Sequence, residues 1–185
     1  MAYAAWLSIY GSGEQQRLAA EFVNYILQRA EKEGGAVSEK ATRIVEEGKE
    51  RGSLTLKGFE KEVEVNGEKY KVKVIDGEAV EENRGGRKLL RIRITAEVDG
   101  VLREYTITYG RRGEDNVAIG RAYVREADAE RLAAVVEALT GVKPRIYRMK
   151  DGTIIIECGR RHLGGFKRFA ELADAIEKWL EETDR

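Results

Sequence analysis

The chain has 185 residues, with 33 Lys or Arg against 33 Asp or Glu, so it carries no net charge although 36% of its residues are charged. One cysteine and one histidine exclude an internal disulfide framework and fit a reducing compartment. No apolar run reaches the roughly 20 residues of a membrane span, and MAYAAWLSIYGSG lacks the basic start and long apolar core of a signal peptide, so a cytoplasmic protein without a membrane partner is expected.

Glu, Lys and Arg are abundant, while Asn, Gln, Cys, Met and Pro are scarce. Hyperthermophile proteins share this bias, because desolvating ion pairs costs less at high temperature and thermolabile residues are avoided. The length suits one domain or a compact pair of subdomains. The expected division is residues 1–52, a strand and two helices, and 53–185, an α+β core, the whole folding as one cooperative domain.

AYAAWLSIY (Ala2 to Tyr10) is short, aromatic and followed by glycine, which predicts a strand. SGEQ then matches a capping box, with Ser12 accepting from the Gln15 N–H. The following helix carries Leu18, Ala19, Phe22, Val23, Ile26, Leu27 and Ala30 at the spacing of a buried stripe, and Gly34 and Gly35 end it. A shorter helix from about Ser38 turns Ala41, Ile44 and Val45 inward.

The middle of the chain reads as β. EVEVNGEKYKVKV alternates on both sides of Asn66-Gly67, a strong hairpin signal. LLRIRITAEVDGVLREYTITY repeats the design around Asp99-Gly100. A two-residue turn there pairs Val98 with Val101, Ala96 with Arg103, Ile94 with Tyr105, Ile92 with Ile107 and Leu90 with Tyr109, which puts the apolar residues on one face. VAIGRAYV (Val117 to Val124) is a further strand. Asp128 is expected to cap a helix through AERLAAVVEALTG, ended by Gly141. KPRIYRMKDGTIIIEC gives a third hairpin turning at Asp151-Gly152, with Pro144 at the strand start. A last helix carries Phe166, Phe169, Leu172, Ala173, Ile176, Trp179 and Leu180 on one stripe. The expected fold class is α+β: a twisted antiparallel sheet of hairpins packed on one face by helices, with a C-terminal αββα unit.

Cys158 and His162 are too few for a zinc site, which takes four ligands, and no third group orients them as a nucleophilic pair. Cys158 reads as a small buried hydrophobe and His162 as part of the turn before the last helix. YGSGEQQ lacks the lysine of a phosphate loop. Asp99 and Asp151 are accounted for by their Asp-Gly turns. No catalytic group, metal or cofactor is therefore expected.

Basic residues carry the remaining signal. Lys69, Lys71 and Lys73 lie on the polar face of the first hairpin, Arg91 and Arg93 on the second, and Arg111 and Arg112 at a strand end. Lys143 to Arg168 is also rich in cations. Arginines on a sheet with Tyr105, Tyr109, Tyr123 and Tyr147 nearby suit phosphate contact. The competing expectation is a solvated face laced with cross-strand ion pairs, such as Glu62 and Glu64 against the lysines.

Two resemblances accompany these patterns. AWLSIYGSGEQQRLAAEFVNYILQRAE, GSLTLKGFEKEVEV, LLRIRITAEVDG and, most specifically, YRMKDGTIIIECGRRHLGGF resemble the PaREP paralogous-repeat family of hyperthermophilic crenarchaea over nearly the whole chain. That resemblance implies a thermophilic archaeal source and a history linked to mobile elements, without an established activity. The strand–strand–helix–strand–strand–helix order from Val101 to Leu180 is similar to half of a LAGLIDADG homing endonuclease. That similarity implies a sheet lying on DNA and places Asp99 where the family has its Mg²⁺-binding acid, although RIRITAEV before it alternates as a strand. The leading expectation is a non-catalytic nucleic-acid-binding domain for DNA or RNA, with phosphate contacts from Arg91, Arg93, Arg111, Arg112, Arg145, Arg148 and Lys150. The alternative is a structural or interaction module forming a homo-oligomer through the TIIIEC hairpin or the Trp179 helix, and the third reading is a residual nuclease.

Overall fold

In the computed structural model, which describes residues 1–184, the chain divides into two compact units, Met1–Leu54 and Thr55–Arg185. The first is three helices: α1 (Ala2–Tyr10), α2 (Gly13–Glu33) and α3 (Gly35–Glu50). The expected strand at residues 2–10 is therefore a helix. Its aromatics recur at three- and four-residue spacing, so Trp6 lies against Tyr3 and Tyr10 with ring centroids 5.9 and 5.8 Å apart. Ala5 is fully buried, and α3 approaches so closely there that a Cβ on Gly48 would stand 2.9 Å from that of Ala5. Ser12 precedes α2 but makes no side-chain cap bond. Instead the Gln16 amide donates to the carbonyls of Ser8 and Ile9, at 3.4 and 3.2 Å, and satisfies the end of α1. The core of this unit is small: Ala5, Val23 and Val45, with Ala4 and Leu27 beside them. Leu18 and Phe22, expected inside, are about half exposed at 51% and 47%, because three short helices leave nothing to cover that side of α2.

The second unit is the expected α+β fold. Strands β1 (Glu60–Val65), β2 (Glu68–Arg84), β3 (Arg87–Val98), β4 (Val101–Arg112), β5 (Val117–Val124), β6 (Arg145–Arg148) and β7 (Ile154–Cys158) form one antiparallel sheet in the order β1-β2-β3-β4-β5-β7-β6. Helices α4 (Glu126–Thr140), α5 (Arg160–Phe166) and α6 (Ala170–Thr183) complete it. The β3–β4 register pairs Val98 with Val101 through Leu90 with Tyr109, as the alternation requires. β2 runs ten residues past Val74, to Arg84, through an irregularity between Val74 and Asp76. The extra residue reverses the parity: Val72 and Val74 face inward before it, and Gly77, opposite inward-facing Ile94, after it.

Leu90, Ile92, Ile94, Tyr105, Ile107, Tyr109, Ile154 and Ile156 point to one side and are buried. The helices close that side with Leu132, Val136 and Leu139 from α4, Phe166 from α5, and Leu172, Ile176 and Trp179 from α6. Two expectations about these helices change. Asp128 lies within the first turn of α4 rather than capping it, and binds Arg131 at 3.4 Å and Arg103 at 3.7 Å. The final stripe is broken between Phe166 and Ala170, since Gly165 brings α5 so near α4 that a Cβ would stand 2.6 Å from the Thr140 Cα. Trp179 and Ile154–Ile156 are buried, whereas Ile146, Tyr147 and Met149 of the same hairpin are exposed. No helix among the described residues is long and apolar enough to cross a membrane.

Candidate nucleic-acid interface

All three helices of the second unit lie on one side of the sheet, so the other side is open. The pairing registers place its residues in rows across the strands. One row runs Val80, Arg91, Thr108, Arg121, Glu157, Arg145 over β2, β3, β4, β5, β7 and β6. Beside it, Tyr123, Ile155 and Tyr147 form a second row over β5, β7 and β6. Tyr123 is 64% exposed and Tyr147 43%. Tyr105 and Tyr109 lie on the opposite, buried side.

Charge is unevenly divided over the open side. Toward β1, acids and bases alternate: Lys69, Lys71 and Lys73 stand opposite Glu64, Glu62 and Glu60, with Lys69–Glu62 at 3.8 Å and Lys73–Glu60 at 3.6 Å. The competing expectation of a laced, solvated face holds for these lysines. Toward the Gly85-Gly86 turn the picture differs. A groove of about 740 Å³ is lined by Arg84, Arg87, Arg112 and Arg121, together with Tyr123 and Leu89. Arg84 and Arg87 stand directly opposite each other in the β2–β3 ladder, an arrangement that costs stability when nothing neutralises it. Arg84 reaches Glu82 at 3.2 Å and Arg121 reaches Glu157 at 2.8 Å. Arg87 and Arg112 are exposed and have no acidic partner among the described residues.

The seven arginines and lysines singled out by sequence do not form one site. Arg91 and Arg93 are on the open side but are held by Glu82 at 2.6 Å and Glu78 at 2.5 Å. Arg112 and Arg145 are there too, without acid partners within salt-bridge range among the described residues. Arg111 is on the helix side, where it stacks 5.1 Å over the Trp179 ring and binds Thr183 and Asp184; it is a structural clamp. Arg148 also turns to the helix side and pairs with Glu126 of α4. Lys150 sits in the exposed β6–β7 connection. Sequence reading missed Arg84, Arg87 and Arg121. Arg121 could have been placed by the alternation of Val117, Ile119, Arg121 and Tyr123, and the other two by the Gly85-Gly86 dipeptide between NR and RK.

Cys158 and His162 do not form a reactive pair. Cys158 is fully buried, and burial pushes its thiol up to about 12. A thiol reagent is expected to leave the folded protein unlabelled and to label one thiol per chain in denaturant; prompt labelling of the folded form would contradict this placement. His162 lies in α5 rather than in a turn, and its Nδ1 accepts the Gly159 N–H at 3.0 Å. Nε2 is buried near the Val142 and Lys143 backbone, without a hydrogen bond of good geometry. Burial, with Arg161 nearby, lowers its pKa. The unfolded chain therefore binds the proton more readily below about pH 6.5. Stability contributed by neutral His162 should fall as pH drops from there toward the folded pKa. In His162→Asn, whose amide can still accept from Gly159, the unfolding free energy should lose that slope; an unchanged slope would assign it elsewhere.

Asp99 holds its turn: it sits at φ +47° and its Oδ1 accepts the Lys71 N–H at 2.9 Å. Residues 87–98 before it are strand, not the helix a LAGLIDADG acid follows. No group of three or more His, Cys, Asp or Glu side chains is placed to hold a metal ion among the described residues. The chain matches no family model, no curated protein and no solved structure.

Proposed function

We propose that this protein binds a single-stranded nucleic acid, without catalysis, on the open side of its sheet. The observation that carries this reading is the groove in which Arg84, Arg87, Arg112 and Arg121 converge beside exposed Tyr123, with Arg87 and Arg112 unneutralised. Phosphates would occupy the arginine groove and relieve the Arg84–Arg87 opposition. Bases would stack on Tyr123 and Tyr147, an arrangement that tolerates any sequence because every base has a π face. A duplex fits less well, since its paired and stacked bases cannot lie on Tyr123 and Tyr147. Arg145 lies beyond Glu157 at the end of its row, outside the groove.

The test is fluorescence anisotropy with a labelled single strand and with the matching duplex at low salt. The single strand should bind more tightly. Arg87→Ala/Arg112→Ala should weaken it, and Tyr123→Ala should weaken it without changing its salt dependence. Failure of both nucleic acids to bind at about 50 mM salt would overturn the reading.

A further inference from the structure

An exposed apolar surface lies on α2, away from the sheet. Leu18, Phe22 and Tyr25 are 51%, 47% and 56% exposed, whereas Ala19, Val23 and Ala30 on the adjoining side of the helix are buried. The sequence around them is ordered: Glu14, Leu18, Phe22, Tyr25, Arg29. Glu14 to Tyr25 and Leu18 to Arg29 are both separated by eleven residues, close to three full turns. The five residues therefore form a narrow, nearly straight stripe.

That stripe is complementary to its own reverse. Turned end for end about a point between Glu21 and Phe22, Glu14 falls opposite Arg29, Leu18 opposite Tyr25, and Phe22 opposite Glu21, one position from its own copy. Gln15 likewise falls opposite Gln28. A two-fold axis asks for this relation: one patch meeting itself, with each acid meeting a base. An unrelated partner would need none of it. The geometry points to a homodimer in which α2 packs antiparallel against α2 of a second copy, with Phe22 next to the axis and Glu14–Arg29 ion pairs at both ends. The contact is one helix wide, so the association is weak, with a dissociation constant on the order of micromolar. It involves only residues of the first unit and is independent of the nucleic-acid reading.

Sedimentation equilibrium of the full chain over a range of concentrations tests it. The mass should rise from one copy to two, and Phe22→Glu, at an exposed position, should hold it at one copy with unchanged circular dichroism. Glu14→Arg alone and Arg29→Glu alone should each weaken dimerisation several-fold, because like charges then face each other, and the double exchange should restore it. A monomer at every concentration up to about 1 mM would overturn the proposal. So would a dimer that ignores Phe22→Glu, or charge exchanges without effect and rescue.

Discussion

Trp179→Ala should destabilise the second unit by about 4 kcal/mol, the cost of truncating a fully buried Trp whose site cannot collapse, and lower Tm by roughly 10 °C. Trp179 joins three parts of the fold. Its ring is completely buried and meets Tyr109 edge-on with centroids 6.3 Å apart. Its Nε1–H donates to the Lys88 carbonyl at 3.1 Å, fixing α6 to the start of β3. On its outer face the Arg111 guanidinium stacks at 5.1 Å while binding Thr183 and Asp184. Alanine would empty the cavity, strand the Lys88 carbonyl and leave Arg111 without the ring. The neighbourhood has little freedom to refill the space, because Tyr109 is already wedged over Gly120, where a Cβ would stand 2.5 Å from its ring. Leu102→Ala is the control: at that half-exposed site in the same unit the change should stay within about 0.5 kcal/mol. Denaturant titration measures both, and a loss below about 1 kcal/mol for Trp179→Ala would show that the ring is not the tie between helix and sheet.

The sequence was most readable where one local rule decides the structure. Asn66-Gly67 and Asp99-Gly100 fix two-residue turns, and each turn fixes a register that alternation then checks at every pair. It misled where a residue type carried two meanings. The first hairpin is legible only as far as Val74, but β2 takes up an extra residue there and continues to Arg84. The aromatics of residues 2–10 resemble strand composition, yet their spacing is helical. Leu18 and Phe22 obey the period of a buried stripe, but periodicity reports which residues share a face, not whether anything covers it. For the site, Arg111 and Arg112 were both expected to contact phosphate, although parity could have separated them: with Leu90 opposite Tyr109, position 111 follows Tyr109 inward and position 112 does not. Neighbouring of distant strands was beyond local reading. β5 lies beside β7 across an intervening helix and strand, and only that pairing brings Arg121 to Glu157 and sets Tyr123 in line with Ile155 and Tyr147.

Because the proposed site rests on arginines that meet phosphates, its affinity should depend on salt in a way that counts them. Each neutralised phosphate of a single strand contributes about −0.7 to the slope of log affinity against log salt. Contacts from Arg84, Arg87, Arg112 and Arg121 give a slope near −2.8, so raising salt from about 50 to about 200 mM should weaken binding roughly 50-fold. Removing Arg87 and Arg112 leaves a slope near −1.4 and a loss of only about sevenfold over the same range. Arg111→Ala, on the helix side of the sheet, should leave the slope untouched while costing stability, and that separates a phosphate ligand from a structural clamp. Tyr123→Ala should cost about 1–3 kcal/mol of binding at every salt concentration, since stacking releases no counterions. A slope that does not fall in Arg87→Ala/Arg112→Ala would place the nucleic acid elsewhere on the molecule. If the slope does fall but Tyr123→Ala is silent, the groove holds a phosphate backbone whose bases face away from the sheet.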